Sequence, residues 1–141
     1  MVGGFADRHV ESLRLPGTGR LLQWRDDGFW RDLNDAQHRD ELSGAHVPAD
    51  DEWVPWRGVR RPQAWGGDWG GAPAWWMVYG ELPGDAVPSV VLADGTCPPV
   101  VRVGQVWACE WRSAAQAASV RVDGERFAFA FSEPPYRRFL G

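Results

Sequence analysis

The sequence predicts an all-β protein: a small antiparallel β-sandwich or open barrel built from hairpins, with a long Trp- and Gly-rich loop and at most one short helix. Gly accounts for 17 and Pro for 11 of the 141 residues, a content that disfavours long helices. Short stretches in which apolar and polar residues alternate are typical of half-buried strands. Turn signals such as Asp-Gly separate these stretches at short intervals, as expected for hairpins.

A chain of this length suits one domain, because a second independent hydrophobic core would be too small. We therefore interpret residues 1–141 as a single β domain with four parts. These parts are N-terminal strands and a hairpin at 1–33, a long loop region at 34–74, C-terminal antiparallel strands at 75–131, and a tail at 132–141.

The front part of the chain carries three strand signals, each a short stretch of alternating apolar residues bounded by turn residues. The predicted strands are His9–Leu15, Leu21–Arg25 and Phe29–Leu33. Asp27-Gly28 lies between the second and third strands and is a strong hairpin signal. A two-residue loop at this position pairs Trp24 with Arg31 and Arg25 with Trp30.

The middle of the chain has weaker periodicity. One short helix is predicted over Asp35–Leu42, with Asn34 as its N-cap and Gly44 just beyond its end. Residues 53–76 contain six Trp among glycines, prolines and three Arg. Paired glycines beside large aromatic residues favour a long, ordered surface loop over a strand in this segment.

The C-terminal part of the chain is predicted to be a succession of short strands separated by turn signals. These strands are Trp75–Leu82, Ser89–Ala93, Pro99–Val103, Val106–Arg112, Ser119–Val122 and Glu125–Phe131. A two-residue loop at Asp123-Gly124 pairs Val120 with Phe127 and Ala118 with Phe129. One face of this hairpin is then apolar and the other polar, as in a half-buried sheet.

The two cysteines, Cys97 and Cys109, are interpreted as free, reduced thiols. A turn at Gly104-Gln105 puts Cys109 opposite Val100 rather than opposite Cys97, so the two are not a direct cross-strand pair. The Trp residues that flank Cys109 indicate burial, whereas Glu110 on the other strand face is expected to pair with an Arg.

Composition and charge restrict the function. The formal net charge is −4, which disfavours nucleic acid as a partner and suits a basic one. The segment Met1–Arg8 lacks the pattern of a secretory signal, so we expect a cytoplasmic protein. No apolar stretch approaches the roughly 20 residues of a membrane span, so we expect no membrane contact.

The Trp- and Arg-rich segment is the best candidate for a binding site, because Trp and Arg dominate the hot spots of protein interfaces. The candidate binding residues are Trp53, Trp56, Arg57, Arg60, Arg61, Trp65 and Trp69. We predict a non-enzymatic binding module, such as an inhibitor, an immunity-type protein or an accessory subunit, whose partner is another protein. The competing structural interpretation is that these indoles cover the open face of the sheet and that the Arg side chains stack on them.

Two other functions stay open at this stage. An aromatic platform in the same segment would suit a carbohydrate or another small ligand. A metal-assisted hydrolase would use His46 and the run Asp50–Glu52 from a larger set of acids and histidines, although a solvated charge run is the commoner outcome for such a set. Its members are His38, Asp40, Glu41, His46, Asp50, Asp51 and Glu52. The sequence has no nucleophile-elbow or phosphate-binding motif, so no catalytic residue, metal or cofactor is predicted.

Overall fold

The computed structural model describes residues 9–66 and 74–131. Its strands are β1 (Val10–Arg14), β2 (Leu21–Arg25), β3 (Phe29–Leu33), β4 (Val54–Pro55), β5 (Gln63–Gly66), β6 (Ala74–Glu81), β7 (Ser89–Leu92), β8 (Val101–Val103), β9 (Val106–Ser113), β10 (Ala118–Val122) and β11 (Glu125–Phe129). One α-helix, α1, spans Asp35–Leu42, and a single 3₁₀ turn spans Asp50–Glu52. The predicted all-β class with one short helix is confirmed for this part of the chain.

The strands form three antiparallel sheets. The front sheet has the order β1-β2-β3-β4, the central sheet β5-β6-β9-β8, and the back sheet β11-β10-β7. Within the described residues these sheets do not close into a barrel. Strand β7 pairs with β10 and not with either strand that adjoins it in sequence, so the back sheet is built from separated parts of the chain.

The central sheet is apolar on both faces, which is why the two other sheets pack against it from opposite sides. Along β6, Trp76 and Val78 face the back sheet, while Met77 and Tyr79 face the front sheet. The back core also takes Trp107, Cys109 and Trp111 from β9, with Val90, Leu92, Val120, Val122 and Phe127 from the back sheet. The front core joins Leu15, Leu22 and Trp30 to Met77, Tyr79, Val103, Val106 and Ala108.

The hairpin of β2 and β3 differs from the predicted one by a single residue. Trp24 pairs with Trp30 and Arg25 with Phe29, so the loop has three residues and the predicted Arg–Trp pairing is wrong. Gly28 has a φ of +90° and donates its N–H to the Arg25 carbonyl, as in three-residue loops that end on a left-handed residue. The observed register puts both indoles on the face that meets the central sheet.

The predicted hairpin of β10 and β11 is confirmed residue by residue. Val120 pairs with Phe127 and Ala118 with Phe129. Both loop residues, Asp123 and Gly124, have positive φ, which matches the twist of a two-residue hairpin.

Helix α1 also forms where it was predicted. The Asn34 side chain accepts a hydrogen bond from the Gln37 N–H at 2.8 Å, and the Gln37 side chain accepts one from the Asn34 N–H at 2.8 Å. The helix has no buried residue. Ion pairs connect it to the front sheet instead, through Asp35 with Arg14 at 2.7 Å and through Glu41 with Arg31.

The expectation of a continuous loop over residues 53–76 is wrong in part. Gln63–Gly66 forms β5, which pairs with β6 and puts Trp65 opposite Met77. The backbone groups of β6 on that side would otherwise lack partners, and a paired strand satisfies them.

Two glycines allow an indole to approach the backbone of another segment. A Cβ on Gly104, in the turn between β8 and β9, would lie 2.1 Å from Cγ of Trp24. A Cβ on Gly17 would lie 2.3 Å from Cζ3 of Trp75. Each indole therefore packs on a glycine backbone and joins the front part of the chain to the central sheet.

The expected ion pair of Glu110 is not formed. Its carboxylate instead accepts hydrogen bonds from the backbone N–H groups of Gly17 and Thr18, at 2.7 and 2.8 Å. A carboxylate forms charge-assisted hydrogen bonds with backbone N–H groups of a turn as well as with a guanidinium. Both cysteines are free thiols as predicted, Cys97 exposed and Cys109 buried.

Candidate binding site on the arginine loop

Residues 56–62, which we call the arginine loop, connect β4 of the front sheet to β5 of the central sheet. At its start, the Trp56 backbone N–H donates to the Gly28 carbonyl at 2.9 Å, and its indole N–H donates to the Leu82 carbonyl at 3.2 Å. At its end, Pro62 is buried against Gly80, where a Cβ would lie 3.3 Å from the Pro62 Cα. Both ends of the loop are thus attached to the sheets.

A buried carboxylate holds the middle of the arginine loop. Glu81, at the end of β6, is 6% exposed. Its Oε1 accepts the backbone N–H groups of Arg57 at 2.9 Å and Val59 at 3.0 Å. Its Oε2 accepts the indole N–H of Trp30 at 2.9 Å. Gly58, between the two donors, has a φ of +72°, a conformation that suits glycine.

The backbone N–H groups of Arg57 and Val59 point inward to Glu81. The side chains of Arg57, Arg60 and Arg61 are exposed. Arg60 pairs with Asp123 at 3.3 Å. Arg61 lies over the rings of Phe127 and Phe129, at 5.9 and 5.7 Å from their centroids. Within residues 9–66 and 74–131, neither Arg57 nor Arg61 has a carboxylate partner. The loop therefore presents two exposed guanidinium groups that form no direct ion pair with a described carboxylate.

Arg57 and Arg61 both line a cavity of about 290 Å³. Its lining consists of Trp30, Val54, Pro55, Arg57, Val59, Arg61, Gln63, Gly80 and Glu81. Val54 and Val59 are 47% and 50% exposed and supply accessible apolar surface at the cavity. The cavity thus combines positive charge with apolar walls, an arrangement that can accept an anionic group and the carbon chain that carries it.

Of the predicted Trp residues, Trp56 begins the arginine loop, whereas Trp53 and Trp65 lie against Arg side chains outside it. Trp53 is half-buried under the guanidinium groups of Arg25 and Arg31, at 5.0 and 4.5 Å from its ring centroid. Trp65 lies under Arg20 at 5.4 Å. Both Trp56 and Trp65 pack against the front core, and Trp69 lies outside the described residues. The structure brings Arg57 and Arg61 together but directs the described indoles toward the sheets.

Sequence reasoning missed Glu81, the residue that organises the candidate site. A signal was present, because Glu81 follows an apolar strand and stands between Gly80 and Leu82. An acid at such a position is expected to be buried, and a buried carboxylate requires hydrogen-bond donors. The sequence does not reveal which N–H groups supply them.

Part of the predicted acid and histidine set does assemble. The ligand atoms of Glu41, His46 and Glu52 lie within 4.8 Å of one another, beside a cavity of about 500 Å³. Arg31 donates to both carboxylate oxygens of Glu41, and His46 Nε2 lies 2.9 and 3.1 Å from the two oxygens of Glu52.

The Ala49 N–H and His46 lower the pKa of Glu52 by hydrogen bonding to its charged form. The potential ligand atoms are thus engaged with one another and with a guanidinium, which repels a cation. We interpret the cluster as two structural contacts: Arg31 with Glu41 attaches α1 to the front sheet, and His46 with Glu52 connects the segment after α1 to the 3₁₀ turn.

No family model matches the chain, and neither a curated protein nor a solved structure matches it. The site must therefore be interpreted from its own geometry and charge. Among the residues that the structure describes, no helix is long and apolar enough to cross a membrane.

Proposed function

We propose that this protein is a non-enzymatic binding module that docks another protein through the arginine loop and its cavity. The observation that carries the proposal is that Arg57 and Arg61, which are exposed and have no carboxylate partner among the described residues, line one cavity on a loop held by Glu81. An inhibitor, an immunity-type protein or an accessory subunit would each use such a surface.

The loop is suited to binding because its conformation is already held before a partner arrives. Glu81 holds two of its backbone N–H groups, and Trp56 and Pro62 attach its two ends. A surface that is ordered in advance loses less conformational entropy on association. Arg is also among the residues that contribute most to binding energy at protein interfaces.

The aromatic-platform alternative has less support. Stacking on a sugar requires an accessible indole face. Of the three described Trp residues in the candidate set, Trp53 already lies under two guanidinium groups, while Trp56 and Trp65 pack against the front core.

We place the proposed activity in the cytoplasm. Both cysteines are free thiols, and one of them, Cys97, is exposed. An exposed thiol that forms no disulfide suits a reducing compartment, where disulfides rarely persist.

The proposal is tested by affinity capture from the native cells, with the full chain as bait and mass spectrometry as the readout. The site variant is Arg57→Ala/Arg61→Ala, and the matched control is Arg112→Ala/Arg121→Ala, which removes two exposed charges elsewhere. We expect a partner protein that the wild type and the control retain and the site variant loses. A partner retained equally by all three baits would contradict the proposal.

A further inference from the structure

We infer that the cavity between Arg57 and Arg61 receives a side-chain carboxylate from an acidic segment of the partner protein. The inference rests on the proposed function and specifies the chemistry of its partner. The net charge of the chain, −4, by itself favours a basic partner, but the charge at this site is locally positive.

The fixed charges around the cavity favour an anion. Among the described residues that line it, Arg57 and Arg61 are cationic and Glu81 alone is acidic. The single carboxylate of Glu81 offsets only part of the charge of the two Arg residues, and its oxygens already accept the N–H groups of Arg57, Val59 and Trp30. A planar guanidinium matches the two oxygens of a carboxylate and forms short, charge-assisted hydrogen bonds with them.

The size and the walls of the cavity favour one amino-acid side chain. Its volume, about 290 Å³, lies at the lower limit of sites that hold drug-sized ligands. Val54, Pro55 and Val59 supply apolar surface beside the charges. That surface suits the methylene groups of Glu or Asp and an apolar neighbour in the same segment.

The same features favour an acidic polypeptide over a nucleic acid. Single-stranded nucleic acid binds where bases stack on accessible aromatic rings. The aromatic residue in the cavity lining, Trp30, is buried, and its indole N–H is already bonded to Glu81. A net charge of −4 also opposes the approach of a long polyanion.

Peptide selection on the full chain tests this inference. Phage that display random dodecapeptides are selected on the immobilised wild type after removal of those that bind Arg57→Ala/Arg61→Ala. We expect the selected peptides to be enriched in Asp or Glu next to an apolar residue. The best peptide is then synthesised with its native acids and with the matching amides, and its affinity is measured by fluorescence polarisation.

The amide peptide should bind roughly tenfold or more weakly than the acidic one, because hydrogen bonds to a charged group are stronger than those to a neutral amide. Arg57→Ala/Arg61→Ala should reduce binding of the acidic peptide by a similar factor, and Arg112→Ala/Arg121→Ala should leave it unchanged. Equal binding of the amide peptide, a selection without acidic enrichment, or Arg57- and Arg61-dependent binding of single-stranded RNA would each overturn the inference.

The two proposals fail in different ways. If cell extracts yield a partner whose capture depends on Arg57 and Arg61, while the peptides show no preference for carboxylates, only the carboxylate inference fails. If no captured protein depends on those two residues, the proposed function itself fails.

Discussion

Glu81 shows how one buried side chain organises a surface that lies 22 to 24 residues away in sequence. A carboxylate can satisfy several N–H donors at once, because each of its oxygens accepts more than one hydrogen bond. Glu81 uses this capacity to bring together Trp30 of the front sheet and the backbone of the arginine loop. The exposed Arg side chains are therefore positioned by a residue that has little contact with solvent.

Replacement of Glu81 by Gln tests this role. Both oxygens of Glu81 accept hydrogen bonds, and the Gln side chain replaces one of them with an NH₂ group, which is a donor. At least one buried N–H group then loses its acceptor. We expect Glu81→Gln to lower the free energy of unfolding by about 1–3 kcal/mol in urea denaturation. The exposed control Glu125→Gln should change it little, and equal effects of the two variants would refute the role of Glu81.

The two thiols are expected to differ in reactivity because one is buried and the other exposed. Burial, with a smaller contribution from Glu110, raises the pKa of Cys109 to about 12, so its reactive thiolate is almost absent at pH 8. Cys97 is exposed. We expect iodoacetamide at pH 8 to add one group to the native protein and a second only in denaturant, as measured by mass spectrometry.

The variant Cys97→Ser is the control for this measurement. It should acquire no adduct while folded and one adduct when unfolded. Rapid alkylation of folded Cys97→Ser would show that Cys109 is accessible and that the back core does not enclose it.

At the scale of elements, the turn between β8 and β9 is packed against Trp24 of the front sheet. Gly104 has a φ of +55°, and the Trp24 indole occupies the position of a Cβ there. Gly95 has a φ of +88°, but nothing lies within 4 Å of its Cβ position. Substitution of Gly95 by Ala therefore adds backbone strain alone, whereas substitution of Gly104 by Ala adds backbone strain and a steric clash.

We expect Gly95→Ala to destabilise the protein by about 1–2 kcal/mol, the cost of a left-handed conformation for a residue with a Cβ. Gly104→Ala should cost a further amount of about 1–3 kcal/mol, because Trp24 must move out of its packed position. Urea denaturation of both variants measures the difference. Equal costs would mean that Trp24 does not pack on the turn.

The hairpins show which parts of an element can be predicted from the chain. Asp123-Gly124 permits one close loop, and the predicted pairs were observed. Asp26-Asp27-Gly28 is compatible with a two-residue or a three-residue loop, so the local signal left the register of β2 and β3 ambiguous. Burial of Trp24 and Trp30 on the same face selected the three-residue loop.

At the scale of the whole molecule, the central sheet couples two hydrophobic cores. Successive residues of β6 point to opposite cores, so loss of one core removes support from a strand that the other also needs. The protein should therefore unfold as one cooperative unit despite its three sheets.

Met77→Ala tests this coupling, because Met77 is fully buried in the front core. The cavity should cost about 2–5 kcal/mol of stability. Hydrogen exchange measured by NMR should accelerate to a similar extent in β2 of the front sheet and β10 of the back sheet. Faster exchange confined to β2 would show that the back core unfolds independently.

The sequence by itself determined the class of the fold, the positions of most strands, the capped helix and the hairpin of β10 and β11. These features depend on local patterns: alternation of apolar residues, turn chemistry and capping side chains. Only the tertiary structure decided that Gln63–Gly66 pairs with β6, that Glu81 holds the arginine loop, and that Arg57 and Arg61 border one cavity. Those features depend on which distant backbone groups need partners once the sheets have packed, and no local pattern specifies that.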